Sequence, residues 1–276
     1  MVDLQSYKIE ITERKKMVYA LLSPAKTMQF DAYPSDLPTA VPHFQKEAAQ
    51  LARELQGYDT KKLMKLMAIS EKLAALNVER FHTFDTKPGA KTVQAPAILA
   101  YRGDVYQGLN ALSMTSAQLK KAQKHLGMIT GLYGVLQPLD LIQPYRLEMS
   151  TGLKTAKAKD LYGFWGDKVT DRVNLFAASA KAKAIIGLAS QEYQKAIDPK
   201  KLTLPFIVCE FKEEKNGTFQ TVALFAKQAR GMMARYIILN GITDPKKLQN
   251  FDEGNYAFNK NLSTDSLYVF TRKGKK

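Results

Sequence analysis

The chain has 276 residues, 45% of them apolar and 24% charged, an ordinary composition for a folded soluble protein with one large core or two modest domains. Its 41 Lys and Arg against 26 Asp and Glu leave a formal charge of +15, which favours a polyanionic partner such as nucleic acid, a nucleotide or an anionic membrane. No apolar run approaches the length that spans a bilayer, and the single cysteine, Cys209, excludes an internal disulfide and fits a reducing cytoplasm.

Met1–Lys16 carries four basic and three acidic residues and lacks the apolar core of a secretory signal. It reads as an extension to the folded unit; an ordered edge strand over YKIEI is the alternative. A strand is expected over Met17–Leu22, running into SPAKT at Ser23–Thr27. Helical spacing follows over Val41–Leu55, then over Asp59–Leu76 with Asp59 as N-cap, with a further short helix over Asn77–Phe84. Pro96–Leu112 begins extended (AILAY) and turns at RGDVYQGL. Ser113–Met128 is expected to be a helix opened by the Thr115/Gln118 capping box.

Leu161–Trp165 leads into a helix over Asp167–Ala182, and Ala184–Ser190 reads as a buried strand. Leu204–Phe211 and Thr218–Phe225 flank Asn216-Gly217, a tight-turn dipeptide, and predict a hairpin. A helix over Lys227–Leu239 stops at Gly241, and Ser266–Thr271 is the last strand. These elements predict a mixed α/β (α+β) fold with a single mixed sheet surrounded by helices. One domain is expected over 17–273, followed by a basic tail at 274–276.

No phosphate-loop, dinucleotide, zinc-protease or serine-hydrolase fingerprint is present. His43, His82 and His125 lie far apart on or beside helical patterns and read as structural histidines. Cys209 sits among apolar residues that would raise its pKa, so a buried small hydrophobe outweighs a redox thiol. Polar residues do gather at the ends of apolar elements. Ser23, Lys26 and Thr27 follow the first strand; Ser190, Glu192 and Tyr193 follow Ala184–Ala189. Arg146 and Glu148 end another apolar segment, and Lys227, Arg230 and Arg235 lie on one helix. Groups at strand C-termini meet in the crevice where open sheets bind ligands, so Lys26, Arg146, Lys227 and Arg230 are expected to line a cationic cleft. Local pairing, such as Arg146 with Glu148, is the competing reading. Gly231, within a helix, costs about 1 kcal/mol relative to alanine and marks a close approach, by a neighbouring strand or by a ligand.

TGLYGVLQPLDLIQPYRLEM (Thr130–Met149) is too apolar for a loop and too rich in proline for a helix. With Ser113–Met128 before it and a short helix over Val135–Ile142 after it, Thr130–Gly134 would be the turn of a helix-hairpin-helix. Gly131 and Gly134 would then let backbone N–H groups approach a phosphate, and Lys120, Lys121 and Lys124 would support it. The glycines are three apart where two is usual, and Pro138 falls in the second helix. A compact turn packing Leu132, Tyr133 and Leu136 inside is the alternative.

LLSPAKT (Leu21–Thr27), this twenty-residue segment, LYGFWGD (Leu161–Asp167), LASQEY (Leu188–Tyr193), FAKQARGMMARYII (Phe225–Ile238) and YVFTR (Tyr268–Arg272) together resemble the bacterial peroxide-stress protein YaaA family, from Met17 to about Lys273. The resemblance implies a cytoplasmic protein that protects against hydrogen peroxide by limiting unincorporated iron. It also implies binding of duplex and branched DNA through a basic cleft and a helix-hairpin-helix-like element. Lys26, Gly131, Gly134, Arg146, Glu148, Lys227, Arg230 and Arg235 stand in the matching motifs. The expectation is a DNA-binding stress protein, largely without sequence specificity, monomeric, needing no cofactor, metal or membrane. The alternative is an enzyme on a nucleotide or nucleic-acid substrate, with Ser23, Glu148, Glu192 and Tyr193 as candidate catalytic groups. Direct iron sequestration ranks third, for want of clustered ligands.

Overall fold

A computed structural model describes residues 17–89, 91–156 and 158–274. The extension expected over 1–16 and the last two residues of the basic tail lie outside the described residues. The apolar run after Met17 becomes β1 (Tyr19–Leu22), with every residue buried, as a strand covered on both faces requires. Seven more strands complete its sheet: β2 (Leu126–Thr130), β3 (Gly134–Leu136), β4 (Ile185–Gly187), β5 (Phe206–Lys215), β6 (Thr218–Gln220), β7 (Ala257–Phe258) and β8 (Leu267–Lys273). Their order is β7-β8-β5-β4-β1-β2-β3, with β6 paired to β5. The five central strands are parallel; β3, β6 and β7 add antiparallel edges. After β1 the chain crosses to β2 on one side, then returns to β4 on the other. The carboxyl ends of β1 and β4 therefore form a topological switch point, where such sheets open a crevice.

The helices that cover the sheet are α1 (Gln45–Gln56), α2 (Thr60–Met67), α3 (Glu71–His82), α4 (Asp104–Leu109), α5 (Ser116–His125), α6 (Lys168–Ser179) and α7 (Ala223–Asn240). Among the described residues no helix is long and apolar enough to cross a membrane. Asp59 caps α2 by accepting from the Lys62 N–H at 2.8 Å, as its position predicts. The single helix expected to Leu76 is broken, however. Ala68 turns left-handed at φ 50°, and Ser70 accepts from the Leu73 N–H to start α3, which absorbs the short helix expected over Asn77–Phe84. The AILA of AILAY forms one helical turn, Ala97–Ala100, rather than extended chain. The hairpin turn has both central residues at positive φ, Asn216 at 51° and Gly217 at 75°, the geometry its dipeptide favours. Its return strand is short, and α7 starts four residues before Lys227. Gly241 ends α7 in the left-handed conformation.

The helix-hairpin-helix is replaced by a β-hairpin. Thr115 and Gln118 form the capping box of α5, but the helix stops at His125, and Leu126–Thr130 pairs in parallel with β1, Ala20 opposite Leu126. Five buried residues in a row satisfy a strand slot beside β1, and that tertiary pairing overrides the helical spacing of α5. Gly134–Leu136 then returns antiparallel, Thr130 opposite Gly134, where a second helix was expected. A Cβ on Gly131 would lie 2.4 Å from the Leu147 carbonyl oxygen, and one on Gly134 (φ +66°) 2.7 Å from the Trp165 ring. Trp165 Nε1 donates to the Gly131 carbonyl at 2.9 Å. Both glycines are buried, Gly134 against the indole and Gly131 against the Leu147–Glu148 backbone, which leaves no path for a phosphate to reach them.

Candidate functional site

Beyond β1 and β4 lies a cleft of about 580 Å³, at the switch point. Ser23, 8% exposed, leaves the end of β1; its Oγ accepts from the Ser190 N–H at 2.8 Å, and its carbonyl accepts from the Tyr106 hydroxyl at 3.0 Å. These bonds tie together the segments after β1 and β4 and the start of α4. Lys26, Glu192, Tyr193, Lys227 and Arg230 line the same cleft. Residues taken from three separate sequence positions are thus brought together.

Glu148 reaches this edge from the extended segment Pro144–Met149, whose residues alternate between buried Tyr145, Leu147 and Met149 and half-buried Pro144, Arg146 and Glu148. That period of two aims Arg146 and Glu148 to one side. Glu148 bridges two cations, Lys26 at 2.8 Å and Arg146 at 2.9 Å; Arg146 thus takes the local pairing and, unlike Lys26, is not among the residues lining the cleft. Glu192 accepts from the Ser150 N–H at 3.0 Å and the Ser150 hydroxyl at 2.9 Å. Tyr193 is buried, and burial together with Glu192 raises its pKa well above the ordinary tyrosine range, so its hydroxyl stays protonated. Lys227 lies 3.7 Å from Asp104. Among the described residues no carboxylate lies within ion-pair distance of Arg230, and burial lowers its pKa, with Glu210 opposing that shift. The lining holds four cations (Lys26, Arg102, Lys227, Arg230) and two carboxylates (Asp104, Glu192), a mixed site with a positive excess.

Other sequence candidates fall elsewhere. Arg235 donates to the carbonyls of Leu109 and Asn110 at 3.2 and 3.0 Å, satisfying the C-terminus of α4. Lys120 pairs with Asp36 at 2.8 Å. Lys121 sits beside Gly241, on the order of 20 Å along α7 from Lys227 at ~1.5 Å per residue. Lys124 is exposed in the last turn of α5, two residues before β2 begins, at the amino ends of the parallel strands and not at the carboxyl ends where the cleft lies. Each histidine has a local environment: His43 meets Arg172, His82 contacts the Val78 carbonyl at 2.8 Å, and burial holds His125 at about 4. Cys209 is buried, which pushes its thiol up to about 12, against a thiolate at neutral pH. Among the described residues no group of three or more His, Cys, Asp or Glu is placed to hold a metal ion.

Arg102, Asp104 and Tyr106, which complete the cleft, are not among the sequence candidates. RGDVY carries a turn signal, but it too is a polar group directly after an apolar run, like those at Ser23 and Ser190.

The family described as Peroxide stress protein YaaA matches residues 18–262. Over 253 residues the chain is 43% identical to a UPF0246 protein of Janthinobacterium sp. (strain Marseille), covering 92% of this chain and 98% of that one. Similar relatives are a UPF0246 protein of Caulobacter vibrioides (strain NA1000 / CB15N), 44% identical with 91% and 98% covered, and one of Ruegeria pomeroyi, 45% identical with 91% and 97% covered. The chain therefore belongs to the peroxide stress protein YaaA family, and its role lies in peroxide stress.

Proposed function

We propose that the protein binds DNA, duplex and branched, through phosphate contacts at the β1/β4 cleft, and that this binding protects the cell from peroxide by limiting unincorporated iron. The observation that carries the reading is the convergence of Lys26, Lys227 and Arg230 in one cleft, with Arg230 lacking a carboxylate partner among the described residues, in a chain of charge +15. A cleft of about 580 Å³ accepts a nucleotide rather than a whole duplex, and branched DNA offers unpaired nucleotides at its junction. The distant Lys120, Lys121 and Lys124 then add only long-range attraction.

Affinity for a junction oligonucleotide should fall log-linearly with salt, because each phosphate neutralised releases counterions. Lys26→Gln and Lys227→Gln should each weaken binding about equally across sequences and lower the salt slope by about one, and Lys121→Gln should leave the slope unchanged. A gel-shift series would overturn the reading if affinity ignored salt, or if Lys121→Gln matched Lys26→Gln. The iron arm is read by comparing chelatable iron, by electron paramagnetic resonance, in peroxide-treated cells carrying wild type or the Lys26→Gln/Lys227→Gln pair. Equal iron in both would remove that arm.

A second reading is favoured by the hydroxyls and carboxylates in the same cleft: catalysis on a nucleotide or nucleic acid, with Ser23, Glu192 and Tyr193 at the reacting atoms and Glu148 setting the position of Lys26. It predicts turnover of nucleotides or oligonucleotides, with or without a divalent metal, that is lost in Glu192→Gln. No turnover across that panel would remove it.

A further inference from the structure

We propose that a second cavity beside the cleft binds a neighbouring nucleotide of the same unpaired strand, its base against Phe30 and its phosphate at Arg80. The inference rests on the DNA reading above. The cavity measures about 560 Å³ and is lined in part by Phe30, Leu76, Arg80, Lys91, Val93 and Pro144. Leu76 and Val93 are exposed apolar groups, 40% and 62%, that line the cavity together with the half-buried Phe30 ring. An aromatic face flanked by cations is the usual arrangement for holding single strands, because every base has a face to stack and every nucleotide a phosphate.

The polar groups of this cavity are mostly committed to one another. Asp85 accepts from the Lys87 N–H at 2.8 Å and the Thr92 hydroxyl at 2.6 Å. Gln143 is bonded through both amide atoms to the Asp85 backbone, each at 2.8 Å. Arg80 is the exception. The one hydrogen bond of its guanidinium among the described residues is a long one, 3.4 Å to Asn77 Oδ1, and no ion pair is formed there by Arg80 or Lys91. Glu79 also lines the cavity and its charge acts on Arg80 in the sense opposite to Arg146, but the two form no ion pair, so the guanidinium is left without a carboxylate contact.

Two chain segments lead from this cavity toward the cleft. One runs from Phe30 to Lys26, which lines the cleft, the other from Pro144 to Glu148, which pairs with Lys26; four residues of extended chain span at most about 14 Å. On these segments Lys26 and Arg146 share the single carboxylate of Glu148. Arg146 is close enough to Arg80 for its charge to lower the Arg80 pKa, second to burial. A phosphodiester between the two nucleotides would relieve that repulsion, so the cations form a track from Lys227 and Arg230, past Lys26 and Arg146, to Arg80.

The test uses the full chain, a fluorescent six-residue oligothymidylate read by anisotropy, and thymidine monophosphate as competitor. Phe30→Ala should weaken the oligonucleotide by about 5- to 100-fold, the range for loss of one stacked base, and Arg80→Gln by about tenfold. Neither should change the mononucleotide, which occupies the cleft alone. Phe30→Leu, which keeps an apolar side chain against the core, should bind like Phe30→Ala, and thermal melts confirm that the variants are folded. Oligonucleotide affinity unchanged in the folded variants, or mononucleotide affinity lost in parallel, overturns the second cavity while leaving the cleft intact. Failure of the wild type to bind any oligonucleotide removes the DNA reading itself, and this inference with it.

Discussion

Gly231→Ala should lower stability by about 3 kcal/mol and weaken whatever the cleft binds. A Cβ at Gly231 would sit 1.8 Å from the Val105 carbonyl oxygen and 2.6 Å from the Leu109 nitrogen. Both are backbone atoms of α4, so no rotamer change relieves the clash and the two helices must separate. Alanine gains about 1 kcal/mol of helix propensity, which the clash exceeds. The contact is reciprocal: a Cβ on Gly108 would lie 2.0 Å from the Gln228 carbonyl oxygen on α7. Because α4 presents Asp104 and Tyr106 to the cleft and α7 presents Lys227 and Arg230, separating the helices widens the site. Gly108→Ala should cost a similar amount, and the double variant less than the sum, since the first substitution has already parted the helices. Urea melts of the three variants check this. A midpoint for Gly231→Ala at or above wild type would show that the helices part freely and that the crossing does not set the cleft.

That crossing shows where the sequence was legible and where it was not. A glycine inside a helical pattern announces a close neighbour, but its identity depends on tertiary contact; the neighbour is a helix, where a strand or a ligand was expected. Ser23, Lys26, Glu192 and Tyr193 meet because polar groups at the ends of apolar runs share a crevice when the strands are parallel and adjacent; Lys227 and Arg230 lie inside α7 and line the cleft through its crossing with α4. Arg235 carries the same local signature as Arg230, yet it caps α4, a partner decided by the helix crossing. The glycines of TGLYG failed as a phosphate loop for the same reason. Their spacing permits either a close-approach turn around an anion or one around an indole, and only the position of Trp165 decides. Leu126–Thr130 continues a helical pattern and becomes a strand because β1 leaves a parallel edge beside it. These misses lie where a long-range partner chose between two locally equivalent outcomes; the break between α2 and α3, by contrast, is local, set by the left-handed Ala68 and the Ser70 cap.

Arg272→Met should be the most destabilising single substitution proposed, at about 3–5 kcal/mol. Arg272 and Glu213 are register partners on adjacent parallel strands, with side chains 9% and 6% exposed, and Arg272 Nε donates to Glu213 Oε1 at 2.7 Å. The guanidinium also donates to the Gly254 carbonyl at 2.9 Å and lies over the rings of Phe225 and Tyr256, 4.7 and 4.6 Å from their centroids. Methionine replaces much of the packing volume and removes the charge. What remains is a carboxylate sealed in the interior, with the Tyr256 hydroxyl at 3.4 Å as its remaining side-chain partner among the described residues. That uncompensated charge, rather than lost contact area, accounts for most of the expected deficit. Glu213→Gln in the same chain removes that charge and should recover most of the deficit. Urea melts of the single and double variants separate the causes. A deficit not recovered by Glu213→Gln would place the loss in the aromatic contacts and the Gly254 bond instead. Because Phe225 lies in the first turn of α7, that outcome would tie the anchor of Lys227 and Arg230 to ring packing rather than to a buried ion pair.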